Sequence, residues 1–169
     1  LASFCKYQNY PRKESLLKTL ESLKGQADVY RIYFNGAMSR PEWIPDWVEV
    51  HVDFSNDLTD LGKFYFLEPG MDEMYLTVDD DLFFPPTYVS DIVNSVNEHG
   101  CVVSHHGRKL VDTATDYYRT NPAMRCLAGE LFNRHLDVPG TGVMAFNTNH
   151  FNPYWIKEST DRKMADLTF

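Results

Sequence analysis

The sequence predicts an α/β fold, a mostly parallel sheet flanked by helices. Three observations carry this. Apolar residues recur at helical spacing in two segments. Strand-like runs lie between and around those segments. A glycine closes each of those two segments.

In order, Leu1–Cys5 is a short apolar run that reads as a first strand. Leu16, Leu17, Leu20 and Leu23 fall at helical spacing between Arg12 and Lys24, and Gly25 stops the helix. Val29–Phe34 reads as a strand ended by Asn35-Gly36, a turn pair. Two prolines make 37–45 a loop. Trp47–Val52 alternates with Val48, Val50 and Val52 on one face, a third strand. Asp57–Leu67 reads as a short helix with Leu58, Leu61 and Phe64 inward, and Asp72–Val78 as a fourth strand. Pro86 suits a first helical position, and Thr87–His99 is a helix with Val89, Ile92, Val93 and Val96 inward, closed by Gly100. Cys101–Ser104 and Val143–Phe146 read as further strands, 105–138 is mixed, and the polar stretch 152–169 has some helical pattern. Neither repeat nor linker breaks the chain, so residues 1–169 are expected to form a single domain.

Sixteen Lys and Arg against 24 Asp and Glu give a formal charge of −8. That argues against a nucleic-acid partner, which needs a basic footprint. An acidic chain that binds a phosphorylated ligand needs a local cation, which points toward a metal. No stretch approaches the roughly 18 apolar residues of a membrane span. Three cysteines, an odd number without a C-x-x-C pair, exclude a disulfide framework and suit a reducing compartment; Cys5 and Cys101 read as small buried hydrophobes.

The chemistry concentrates where Met74–Val78 runs into Asp79-Asp80-Asp81. Three adjacent carboxylates repel one another and need water, a cation or strong donors. In an extended segment Asp79 and Asp81 share a face and Asp80 points away. Two carboxylates on one face suit a hard cation, Mn²⁺ or Mg²⁺. Strand ends of open α/β sheets are where ligands bind.

The strand followed by the acidic triplet resembles the D-x-D motif of glycosyltransferases with the GT-A fold. The resemblance extends to Tyr10-Pro11-Arg12 leading into Leu16–Leu23 and Gln26, and to Asp60-Leu61-Gly62-Lys63 ahead of the triplet. In layout the chain is similar, along nearly all its length, to the small glycosyltransferase domain encoded by chlorella viruses. The resemblance implies a GT-A, Rossmann-like domain that takes a sugar from a nucleoside diphosphate, UDP-linked, to a hydroxyl of a glycan or glycoprotein. The preference for uridine rests on the resemblance alone. It implies a soluble, cytoplasmic enzyme, in the host cytoplasm if virus-encoded.

Residue by residue, the resemblance implies that Phe4, Lys6, Tyr7 and Arg12 hold the base and ribose. Asp60, Gly62 and Lys63 touch base and phosphates, with Gly62 admitting a close backbone approach. Asp79 and Asp81 are the metal-side carboxylates, and Asp80 meets sugar or ribose hydroxyls. Gly140-Thr141-Gly142 followed by Val143–Phe146 resembles the acceptor-side strand and its glycine loop, where glycines permit a tight approach to the sugar. Asp166 falls where many GT-A enzymes carry a late carboxylate, a general base in an inverting mechanism. Ala165 stands where the family pattern has the first of paired acids. One of His105 and His106 is a candidate metal or phosphate contact.

Three rival readings fit less well. A phosphatase-type hydrolase usually carries Thr or Val two residues after its second aspartate, where Phe83 stands, and has its motif in the first strand. A sugar nucleotidyltransferase usually has an early glycine-rich loop, and residues 6–12 contain no glycine. A carbohydrate-binding module using aromatics and calcium is mainly β.

Overall fold

A computed structural model describes residues 12–55, 58–111, 135–159 and 165 in full, and residues 2–6 and 123–124 through their backbone. Helices and strands alternate as expected through the first hundred residues. The strands are β1 (Ala2–Lys6), β2 (Tyr30–Asn35), β3 (Val48–Asp53), β4 (Met74–Val78), β5 (Val103–Ser104), β6 (Gly107–Arg108), β7 (Ala123–Met124), β8 (Val138–Pro139) and β9 (Val143–Asn147). The helices are α1 (Lys13–Leu23) and α2 (Tyr88–His99), with 3-10 turns at Thr59–Phe64 and Tyr154–Glu158.

Six strands form one sheet in the order β3-β2-β1-β4-β9-β5. The first four run parallel, with Phe4 opposite Tyr33, Tyr33 opposite His51, and Ala2 opposite Thr77. β9 is antiparallel to both β4 and β5. A second, three-stranded sheet has the order β7-β6-β8. The sheet is thus mixed, parallel on one side of β4 and antiparallel on the other. From β1 the chain steps outward to β2 and β3, then returns to place β4 on the other flank of β1. That reversal is a topological switch point, where a crevice opens beyond the strands' carboxyl ends.

Strand alternation sends side chains to two cores. Tyr30, Ile32, Phe34, Val48, Leu76, Val78, Val143 and Ala145 face one way and pack against Leu16, Leu20 and Leu23 of α1 and Val89, Ile92 and Val96 of α2. Tyr75, Met144 and Phe146 face the other way and meet Leu61, Phe64 and Leu67 around the first 3-10 turn, together with Ile156 and Ala165. Each fully buried large apolar side chain contributes about 1.5–3 kcal/mol. Both α helices end as their glycines predict, with Gly25 at φ 79° just past α1 and Gly100 at φ 62° closing α2.

Four expectations are corrected. Among the described residues the short helix expected over 57–67 is confined to the 3-10 segment Thr59–Phe64, with Leu61 and Phe64 buried and Leu58 only partly buried. Pro86 precedes the N-cap, Thr87, and does not open the helix. β5 keeps only Val103–Ser104 of the expected strand, because it pairs only Ala145 and Met144 before the chain turns away. Cys101 is consequently exposed, sitting before that strand and after Gly100. The Cys5 side chain lies outside the described residues. Among the described residues no helix is long and apolar enough to cross a membrane.

Candidate active site at the end of β4

The triplet emerges where β4 ends, beside β1. Its exit is fixed from below by polar staples to α1. Thr19 Oγ donates to the Leu82 carbonyl at 2.7 Å, Phe84 N donates to Ser22 Oγ at 3.1 Å, and Gln26 Nε2 donates to the Pro85 carbonyl at 3.0 Å. Val89 N donates to Gln26 Oε1 at 3.1 Å, extending the clasp to the start of α2. Satisfied side-chain-to-backbone bonds of this kind hold a loop with little freedom.

The chain turns at Asp80 and Asp81 instead of continuing extended. The alternation of an extended strand therefore does not set the directions of Asp79 and Asp81. Arg12 Nη1 donates to Asp80 Oδ1 at 2.8 Å and sits 3.0 Å from Asp81 Oδ2, so one guanidinium nitrogen bridges the last two carboxylates. Asp79 faces Lys63, whose Nζ donates to Asp79 Oδ1. Lys63 is buried, and its carbonyl accepts from the buried Tyr75 hydroxyl at 2.7 Å. Two cations from distant segments thus divide the triplet between them. Such charge-assisted bonds are about twice as strong as neutral ones.

Exposure separates the three acids. The side chains of Asp79 and Asp81 are 42% and 44% exposed, that of Asp80 only 8%. Burial, joined by the charge of Asp81, pushes the Asp80 carboxyl up to about 6, while a bond from its own backbone pulls it down. The Arg12 contact favours the ionised form and also opposes the rise. Asp80 is accordingly the structural member of the triplet, and its two neighbours are the ones open to a ligand.

The far wall is the turn Gly140-Thr141-Gly142 ahead of β9. Asp79 N donates to the Gly142 carbonyl at 2.8 Å. A Cβ on Gly142 would collide with the Asp79 carboxylate, and a Cβ on Gly140 would collide with the His106 imidazole. The glycines leave room, as the sequence suggests, but this chain's own side chains take it up. Gly62 behaves alike: a Cβ there would strike the Tyr33 ring, so its absence serves packing under the 3-10 turn.

The other sequence-derived residues fall as follows. Asp60 lies in the first turn of the Thr59–Phe64 segment and is half-buried. Phe4 and Lys6 are on β1, opposite Tyr33 and Asn35, which brings them to the same end of the sheet. Tyr7 and Asp166 lie outside the described residues. His105 and His106 follow β5; burial lowers the His105 imidazole below its ordinary value, with Asp91 opposing. The contribution of Arg12 to two acids almost seventy positions away was invisible to periodicity; only the register of β1 beside β4 brings them together.

Among the described residues no group of three or more His, Cys, Asp and Glu is arranged to hold a metal alone. The donor set still fits a magnesium-type ion, which commonly takes one or two carboxylates and completes its shell with phosphate oxygens and water. Asp79 and Asp81 are the exposed carboxylates that would hold it. A cavity of about 520 Å³ lies to one side, over β2 and β3, lined by Tyr33, His51, Asp53 and Tyr65 among others. It does not include the triplet. No protein-family model matches the chain, and no curated protein matches its sequence.

Proposed function

We propose that the chain is a metal-dependent glycosyltransferase domain of GT-A type, acting in the cytoplasm on a nucleoside diphosphate sugar, UDP-linked, with a glycan or glycoprotein hydroxyl as acceptor. The observation that carries this reading is the meeting of three carboxylates and two cations at the switch point between β1 and β4. The parallel order β3-β2-β1-β4 with an antiparallel strand beyond supports the GT-A assignment. In a cluster of three carboxylates, a diphosphate needs an added cation beside Lys63 and Arg12, and a divalent ion would provide it.

A divalent ion, Mn²⁺ or Mg²⁺, would supply charge neutralisation on the leaving diphosphate. Asp79 and Asp81 would hold it. The chain's own groups do the rest. Lys63, buried and aimed at Asp79, fixes that carboxylate and brings a positive charge beside the diphosphate. Arg12 holds Asp80 and Asp81 in their turn and projects from the start of α1, with its side chain 54% exposed. Asp80, held at the floor, keeps the turn closed. The Gly142 carbonyl, accepting from Asp79 N, sets the height of the first acid against β9.

Calorimetric titration of UDP with and without Mn²⁺ tests this, alongside a variant carrying both Asp79→Ala and Asp81→Ala. The expected result is binding that requires the ion and falls at least about 100-fold in the variant, as for loss of charged ligand groups. Failure of UDP and of other nucleoside diphosphates to bind the folded protein with Mn²⁺ present contradicts the proposal.

A further inference from the structure

We propose that His106 contacts the transferred sugar and sets which sugar the site accepts; this rests on the glycosyltransferase reading above. Three distant segments meet at one short turn. Gly142 lies against Asp79 and Gly140 against His106. Two residues of chain span at most about 7 Å, so the histidine stands one step along the same wall from the first acid of the triplet.

The histidine is held there by backbone. Gly140 N donates to the His106 carbonyl at 2.8 Å, and Ser104 Oγ donates to the Gly140 carbonyl at 2.7 Å. His106 N donates to Ser104 Oγ at 3.4 Å, and His105 N to the Val143 carbonyl at 3.1 Å. A locked backbone with a half-buried ring is the arrangement that positions a side chain for a ligand. Among the described residues neither ring nitrogen of His106 makes a hydrogen bond.

Direction follows from the two flanks of the triplet. The β2–β3 flank carries the cavity with the Tyr33, His51 and Tyr65 rings, a surface for a planar base. The β9–β5 flank carries Ser104, His106 and the glycine turn, groups suited to hydroxyls. A donor with its diphosphate at Asp79 and Asp81 and its base toward β2 lays its sugar toward β9. The imidazole, with one donor and one acceptor nitrogen when neutral, matches a sugar hydroxyl.

The test compares UDP with UDP-glucose, UDP-galactose and UDP-N-acetylglucosamine by calorimetry in Mn²⁺, for the wild type, His106→Ala, His106→Gln and Gly140→Ala. Thermal unfolding checks that each variant is folded. The expected result is UDP affinity within about twofold of wild type for both His106 variants, with the best UDP-sugar weakened about tenfold by His106→Ala, the scale of one lost hydrogen bond. His106→Gln, which keeps a donor and an acceptor, retains most of the affinity. Gly140→Ala, which displaces the ring, weakens the best UDP-sugar more than it weakens UDP. Equal weakening of UDP and UDP-sugar assigns His106 a structural role and overturns the proposal, as does no change in either. A wild type that binds no UDP removes the functional reading and this inference with it, whereas intact UDP binding with unaltered sugar discrimination removes this inference alone.

Discussion

The two sides of β4 are built differently. On one side β1, β2 and β3 run parallel, in long register, with Leu16, Leu20 and Leu23 of α1 in the core they share with β4, whereas α2 packs against β9 and β5. On the other side β9 and the two-residue β5 run antiparallel, followed by a small sheet of two-residue strands. The parallel side is held by apolar burial and offers cations, Arg12 and Lys63. The antiparallel side near the site is held by backbone bonds around glycines and offers His106 and Ser104. The difference teaches that the site is a seam: one wall supplies charge, the other supplies close-fitting backbone.

The first way to break that comparison is Gly142→Ala. The added methyl collides with the Asp79 carboxylate, so a change on the backbone wall should disable the charged one. We expect UDP affinity in Mn²⁺ to fall by about tenfold or more, with a destabilisation of about 1–3 kcal/mol from overpacking, read by calorimetry and denaturant unfolding. Unchanged binding would mean that Asp79 does not need its present position.

A smaller effect sharpens the division within the triplet. The Asp80 carboxyl is raised to about 6 from an ordinary value of 3.8. The folded chain then holds more protons than the unfolded one between about pH 4 and 6, so stability falls as pH rises through that window and stays lower above it. Asp80→Asn should therefore stabilise the metal-free protein at pH 7.5 by about 1–2 kcal/mol, after allowance for solvent screening. That gain should vanish near pH 4. Thermal unfolding at the two pH values checks it. A loss of stability at pH 7.5 that shrinks toward pH 4 would show that the Arg12 contact, not burial, governs Asp80.

The same contrast explains how much was legible in the sequence. The two helices and the parallel strands announce themselves, because Leu16, Leu20, Leu23, Ile92 and Val96 repeat at helical spacing and Val48, Val50 and Val52 at strand spacing. These positions face a core, and burial imposes the period. The triplet was legible as chemistry placed at a strand end, and Lys63 only through the family resemblance. The turn at Asp80, the Arg12 bridge, and the meeting of His106 with Gly140 were not. Each depends on contacts between segments tens of residues apart, fixed by strand order and carried by single side chains without periodicity. The clasp of Thr19, Ser22 and Gln26 on residues 82–89 is of the same kind: polar residues on α1 and just past its end read as solvent-facing until the partner loop is in place. Gly62 and the 140–142 turn were legible as places needing glycine, but what fills the space is tertiary.

The placement of a nucleoside diphosphate across the seam is tested most directly by amide hydrogen exchange, followed by mass spectrometry, with and without UDP and Mn²⁺. The account predicts slowed exchange in peptides spanning residues 62–64, 79–82 and 140–142, each change requiring the ion. Slowed exchange confined to residues 51–55 beside the cavity, with the triplet and the glycine turn unaffected, would contradict it.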